Sequence, residues 1–546
     1  MLQDQAFSAP NRPGMRSVVI LLILAILAAC SRAGQPLDHR EPGSVRFDLA
    51  ADPATLNPLF AHQDASSVEL QVGRLAFEPF VDIDERGRAQ PALLSRIPSQ
   101  ENGDLSADGR TITYRLRQNV KWQDGVPVTS TDVLFTLRAI MDKRNPVRSL
   151  EGYELIDRAR APDPRTVIFH LRKPWAPAVR TLFSYGATSQ FVLPQHVLQN
   201  QRPLAQGAFN AAPVGDGPYK LVSWSRGEKL VYERNPLYWR GAARMARLDI
   251  RIVPDPSINL TLLASGEVDW NLIAPLQQRL LAANPDIAYR EVPTATIAGV
   301  AINLRHAPLN DARLRRAIAM SIDRQSISKR ITLGKYPVAN SAQPSFSFAY
   351  DPTVRLPQFS PSAADAIFDS AGWKRGPDGI REKNGTPLQL TYVQFTETAS
   401  GMHSAELIER NLRDRGIDVQ IKKISSAQLF LPRTGALAGG AYDLAYVPWP
   451  MGADPDDSAV LSCGGASNYM RYCDPQVERW EQAAQAAASQ SQRRVLYSKI
   501  GHAVARDVPI IYLFEAHYIY AYRKELRDFY PNAFLPTWDA WRWHLR

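Results

Sequence analysis

Leu388-Gln389-Leu390-Thr391-Tyr392-Val393, the stretch Ala405 to Leu412, and Gly416-Ile417-Asp418-Val419-Gln420-Ile421 form the run that sets the fold class. The outer segments have strand character, the middle one is helical, and Gly416 supplies its stop. Strand, helix and strand at this spacing predict a βαβ unit, hence a parallel sheet and an α/β fold. The same alternation continues upstream. Thr111-Ile112-Thr113-Tyr114-Arg115-Leu116 has period-two patterning and predicts a half-buried strand. A second strand over Thr166 to Leu171 is followed by Pro174 and Pro177, which break regular structure. Asp124-Gly125 is a hairpin-type turn signal. Thr129 and Asp132 have capping-box spacing ahead of Val133, Leu134 and Leu137, so a helix is predicted there. Gly215-Asp216-Gly217-Pro218 marks a turn before strands at Tyr219 to Trp224 and Leu230 to Glu233. Asp311 is placed to cap a helix carrying Leu314, Ile318 and Ile322 on one face. Downstream, Trp480 to Ala505 predicts a single helix and Pro509 to Phe514 an apolar strand.

A chain of 546 residues exceeds what one core serves, and two or three compact units are expected. Apolar residues make up 45% and charged residues 22%, the balance of a globular protein. The formal net charge is +10, but the basic residues are scattered with no run of five like charges, which gives nucleic-acid binding little support. At the N-terminus, Arg16 precedes an apolar run, Val18 to Ala29, that ends Leu27-Ala28-Ala29-Cys30. The run is too short to span a bilayer but suits a signal-peptide h-region. A cysteine directly after small residues is the pattern of a bacterial lipoprotein signal, so residues 1–29 are expected to be removed and Cys30 to carry lipid. Met15 is an alternative start, and residues 30–44 form a tether. In the oxidising compartment this implies, Cys463 and Cys473 are expected to form a disulfide; no other cysteine remains, and no histidine flanks them as zinc would need.

Many short blocks stand in one order along the chain. They include Asp52-Pro53 with Leu56-Asn57-Pro58, Phe77-Glu78-Pro79-Phe80, Pro91-Ala92-Leu93, and Val120-Lys121-Trp122-Gln123-Asp124-Gly125-Val126-Pro127-Val128-Thr129. Further on come Pro213-Val214-Gly215-Asp216-Gly217-Pro218-Tyr219, Asn235-Pro236-Leu237-Tyr238-Trp239, Gly266-Glu267-Val268-Asp269, Leu314-Arg315-Arg316-Ala317-Ile318-Ala319 and Ala371-Gly372-Trp373. With them, nearly the whole chain from Val45 resembles extracellular solute-binding protein family 5, the large peptide- and nickel-type receptors of ABC importers. The resemblance implies a two-lobed periplasmic-binding-protein fold of type II, cluster C, with an extra subdomain in the first lobe. Lobe I would comprise 45–70, 190–300 and 508–546, the inserted subdomain 71–189, and lobe II 301–507. The strands ending at Asn303 and starting at Pro509 would be the crossovers, with the ligand enclosed at the hinge.

In peptide-binding members an acidic residue in a loop after a tryptophan holds the ligand's ammonium. Here the stretch reads Trp449-Pro450-Met451-Gly452-Ala453-Asp454-Pro455-Asp456-Asp457, with no carboxylate before Asp454. Asp454 is therefore equally a loop cap and a ligand partner. The arginine that forks a dipeptide's carboxylate has no counterpart in Gln394-Phe395-Thr396-Glu397-Thr398. A ligand held by apolar and aromatic contacts plus backbone hydrogen bonds fits better, with Trp449, Met451 and Phe395 as walls and Glu397 as a possible receiver of a cationic group. His62 and Gln63 sit where the family's first lobe meets the ligand by its main chain, and Asn468 falls at the rim between the two cysteines. Lys121 to Gly125 and Gly215 to Tyr219 are expected to be structural, their glycines supplying turn conformations and Trp122 and Tyr219 packing.

Motifs for zinc proteases, α/β-hydrolases and phosphate-binding loops are absent, and Ser326-Ile327-Ser328-Lys329 lacks the companions of a penicillin-recognising site. No cofactor, metal or catalytic residue is predicted. The resemblance implies a monomeric, lipid-anchored, extracytoplasmic receptor for short peptides or peptide-like solutes, partnered by a permease and an ATPase. The alternative ligand is a non-peptide solute such as a metal chelate, haem, an oligosaccharide or an opine; an enzyme or chaperone on the same scaffold is the third reading.

Overall fold

Ten strands join in one sheet. In chain order they are β1 (Ser44–Leu49), β2 (Tyr219–Ser225), β3 (Lys229–Arg234), β4 (Arg247–Ile252), β5 (Trp270–Ile273), β6 (Ile287–Ile302), β7 (Gln389–Phe395), β8 (Asp418–Ile424), β9 (Leu444–Pro450) and β10 (Ile510–Arg523). Their order across the sheet is β8-β7-β9-β6-β10-β5-β1-β4-β3-β2. The computed structural model describes residues 41, 43–61, 68–147, 150–185, 190–397 and 399–546. Cys30, His62 and Gln63 lie outside the described residues, and the folded body runs from Val45 to Arg546.

The βαβ unit forms as its sequence predicts. β7 and β8 pair in parallel from Gln389↔Asp418 to Phe395↔Ile424, linked by the helix Ala399–Arg413. The apolar face of that helix, with Ile408 and Leu412, is buried against the sheet. β6 and β10 are the two long strands, 16 and 14 residues, and they pair antiparallel with register shifts between Pro293 and Ile297 and between Ala298 and Gly299. Each continues into a different neighbourhood. β6 pairs with β9 over Thr296 to Ile302, while the far end of β10 pairs with β5 over Ile519 to Tyr522. One hydrophobic core gathers Val300, Ile318, Tyr392, Ile408 and Ile511; another gathers Phe47, Trp122, Tyr219, Trp270 and Trp543. These two strands thus carry one sheet from one lobe's core to the other's.

Local signals in the first half are met closely. Thr111–Arg115 pairs with Thr166–Leu171. The helix Ser130–Met141 starts at Thr129, whose backbone N–H donates to the Asp132 carboxylate at 2.8 Å. Asp311 accepts from Arg313 N at 2.8 Å and caps Ala312–Ser321, with Leu314, Ile318 and Ile322 buried. Three expectations change. Trp480 to Ala505 is not one helix but two, Pro475–Ala486 and Gln490–Asp507, because Ala487 turns extended and the two pieces fold back to bury Val477 and Ala484 with Tyr497 and Ile500. The strand begun at Ile510 runs on to Arg523, since the alternation of Tyr518, Tyr520 and Tyr522 continues its pleat. Gly215 and Gly217 serve close approach rather than an unusual turn. A Cβ on Gly217 would lie 2.6 Å from the Ala76 carbonyl carbon, and its N–H donates to Ala76 O at 2.7 Å. Trp122 and Tyr219 are fully buried.

Candidate ligand cleft

The wall on the side of the core that holds Val300 and Tyr392 begins in β9. Trp449 sits opposite Ile297 of β6, so it is a strand residue rather than the loop residue its sequence suggests. It is 3% exposed, and its indole Nε1 is buried without a hydrogen-bond partner. Past β9 the chain stays tied to β6, with Met451 N donating to Ala295 O at 2.6 Å. Met451, Gly452 and Ala453 then line a recess shared with Phe346 and Phe348. Arg180 and Gly87 face the same recess from the first half of the chain. Gly87 has φ +76°, and a Cβ there would stand 2.8 Å from the Phe346 ring, so only glycine allows this approach.

Asp454 ends the loop inside an ion pair. Its Oδ2 accepts from Arg493 Nη1 at 2.7 Å, its Oδ1 accepts from Arg493 Nη2, and both side chains are 4% exposed. Asp454 Oδ1 also accepts from Asp456 N at 3.1 Å, and Arg493 Nη2 donates to the Tyr497 hydroxyl at 3.0 Å. Burial opposes the Arg493 charge, but Asp454 and Tyr497 outweigh it and raise its pKa. Behind this pair, Asp457 and Glu481 are buried together. Burial pushes the Asp457 carboxyl up to about 6; burial and then the Asp457 charge raise Glu481 well above the usual range. Gln343 donates to Asp457 Oδ2 at 2.9 Å and to Pro455 O at 2.8 Å, which fixes the loop from below.

The remaining sequence candidates fall in two places. Phe395 is buried at the end of β7 beside Tyr446 and Phe430. Glu397 accepts from Ser426 N at 2.7 Å and Ser426 Oγ at 2.9 Å, holding the start of the helix Ser426–Phe430, and these bonds lower its pKa. Asn468 is buried; its amide donates to Ser462 O and Tyr472 O, and its Oδ1 accepts from Tyr472 N. Those three bonds brace the loop that the Cys463–Cys473 disulfide closes.

Between the two walls lies a cavity of about 720 Å³. The near side carries Arg88, Val179 and Arg180; the far side carries Phe346, Phe348, Asp454 and Arg493. Arg180 and Arg493 both stack on Phe348, at 5.1 and 5.6 Å from its centroid. The Arg180 side chain has no hydrogen-bond or ion-pair partner among the described residues. Burial lowers its pKa, with Asp454 opposing and Arg493 adding to the effect. Asp454 is already held through both oxygens by Arg493, so this corner carries about one uncompensated positive charge in a partly desolvated space. Arg180, Arg493, Phe346 and Phe348 were not anticipated from the sequence. The two phenylalanines, alternating with serines in a stretch of neither helix nor strand, were a usable signal; Arg180 offered none. Among the described residues no group of three or more His, Cys, Asp or Glu could hold a metal ion, and no helix is long and apolar enough to cross a membrane.

Two cores threaded by a shared sheet, with a cleft between them, define a two-lobed solute-binding protein. The family model described as "Bacterial extracellular solute-binding proteins, family 5 Middle" matches residues 89–470, and the chain belongs to that family. It is 27% identical over 538 residues to the probable D,D-dipeptide-binding periplasmic protein DdpA of Escherichia coli, covering 95% of this chain and 96% of that one. Its fold matches NikZ of Campylobacter jejuni, solved in complex with Ni(L-His), with TM-score 0.76 and 23% identity over 92% of this chain and 100% of that chain. It also matches the oligopeptide-binding protein AppA of Bacillus subtilis, solved with a nonapeptide, with TM-score 0.74 and 20% identity over 92% and 99%.

Proposed function

We propose that this protein is the capturing subunit of an ABC importer and that it takes short peptides or peptide-like solutes bearing a free carboxylate. The observation that carries the reading is Arg180, a guanidinium without an acceptor on the wall of a partly buried cleft. A guanidinium in such a place stabilises a carboxylate by a paired, charge-assisted hydrogen bond. Phe346, Phe348 and Met451 offer apolar surface next to it, as solute sites do. In this reading Met451 is a wall, Trp449 and Phe395 are core residues outside the cavity lining, and Asp454, Glu397 and Asn468 hold loops. Lobe I (45–70, 190–300, 508–546), the inserted subdomain (71–189) and lobe II (301–507) close about β6 and β10, and ligand favours the closed population. The protein acts as a monomer outside the cytoplasm, tethered through lipid on Cys30, and hands its solute to a permease with its ATPase.

A second reading keeps the same pocket and changes the solute. Asp454 is neutralised by Arg493, so this carboxylate does not stand ready for a ligand ammonium. That suits an anionic non-peptide solute, such as a carboxylate-rich metal chelate or an opine. Native mass spectrometry of the protein drawn from its own extracytoplasmic compartment separates the two. Retained masses that fragment as peptides support the first; a discrete non-peptide mass refutes it in favour of the second.

A further inference from the structure

Away from the Trp449 wall, three indoles and three guanidiniums alternate along one surface. Arg117 and Arg240 lie 4.0 and 4.3 Å from the ring centroid of Trp239. Arg240 also lies 5.3 Å from Trp541, Arg542 lies 4.8 Å from Trp541, and Arg542 reaches Trp538 at 5.6 Å. With Arg88, the three arginines line a concavity of about 410 Å³. Like charges held this close repel one another. The repulsion registers at Arg117, whose pKa is lowered first by burial and then by Arg240.

Asp84 and Glu85 also line the concavity, and Glu78 and Asp539 act on Arg117 and Arg542 from a distance, but each of these carboxylates is bonded to another group. Asp84 accepts from Arg88 Nε at 2.8 Å and from Gln90 at 3.3 Å, and Glu85 pairs with Arg86. Glu78 is held by Arg74 and Tyr238. Asp539 accepts from Trp543 Nε1 and Tyr530 N, and burial favours its neutral form. Arg117 donates to the carbonyls of Pro91 and Ala92. The Arg240 and Arg542 guanidiniums have no hydrogen-bond acceptor or ion-pair partner among the described residues, and Arg240 Nε is buried without one. Stacking on indoles fixes the planes of these guanidiniums, so their N–H groups are oriented before any ligand arrives.

We infer that this arginine–tryptophan concavity, which adjoins the solute cleft at Arg88, is a second binding site that takes a phosphate-type oxyanion. Its chemistry accommodates free phosphate or pyrophosphate and equally the phosphodiester of a glycerophospholipid headgroup. The test is isothermal titration of the full protein with inorganic phosphate, pyrophosphate and glycerophosphoglycerol, each against potassium chloride at matched ionic strength. Saturable heat is expected from at least one phosphate probe, weakened tenfold or more in Arg240→Gln/Arg542→Gln. Preference for pyrophosphate points to a soluble anion, and preference for glycerophosphoglycerol to a lipid headgroup. If the double variant melts early, Arg542→Gln alone is used, since Arg542 is partly exposed and its side chain donates no hydrogen bond to the described residues; it should still weaken binding. No saturable heat with the parent protein, or equal affinity in parent and variant, overturns the site.

Discussion

The two walls of the solute cleft treat charge in opposite ways. On the side of β9 the two carboxylates that the sequence offers to a ligand are both held by the protein: Asp454 lies within Arg493, and Glu397 is taken by Ser426. On the opposite side Arg180 faces the same space with no acceptor. The charges on the β9 side therefore build the wall, and the first half of the chain supplies a guanidinium left without an acceptor among the described residues. Motif position alone suggests the reverse, because Asp454 stands in the loop where the family keeps a ligand-binding carboxylate.

The largest effect expected from this contrast is on stability. Arg493→Ala leaves Asp454 buried and unpaired and should cost about 3–5 kcal/mol, read as a lowered urea midpoint. Arg493→Ala/Asp454→Ala should recover most of that loss; a single variant as stable as the parent would show that the pair is not what holds the loop. Next comes a pH effect. Asp457 has its folded pKa raised from 3.8 to about 6 by burial, facing Glu481, Asp456 and Gln343. A carboxyl with a raised folded pKa binds its proton more tightly when folded, so stability is greatest below the unfolded pKa near 4 and declines as pH rises through about 6. The loss is on the order of 3 kcal/mol, and Asp457→Asn should flatten the slope between pH 4 and 7 in melts, leaving only the share that Glu481 carries. An unchanged slope would place the titration elsewhere. The smallest effect is at Glu397: Glu397→Ala should lower the melting temperature only slightly and leave solute affinity within twofold. A large affinity loss there would return Glu397 to the ligand.

How much of this was legible in the sequence depends on contact range. The βαβ unit, the Asp132 and Asp311 caps and the Thr111 to Leu171 strands follow from residues near one another, and they form as read. The split of Pro475–Asp507 was not legible, because a run of alanines favours helix throughout and only the packing of the two halves against each other breaks it. The site was harder still. Asp454 meets Arg493 across 39 positions, and Arg180 meets Phe348 across the cleft. No local pattern encodes either, so the carboxylate stood out in the sequence and the arginine that faces the cavity did not.

The most direct measurement is calorimetric titration of the parent protein and Arg180→Gln with the solute recovered from the native protein, alongside melting curves of both. The account predicts that the variant melts within about a degree of the parent, as loss of a side chain with no hydrogen-bond or ion-pair partner among the described residues should allow, yet binds at least tenfold more weakly. Equal affinity in the two proteins would contradict it.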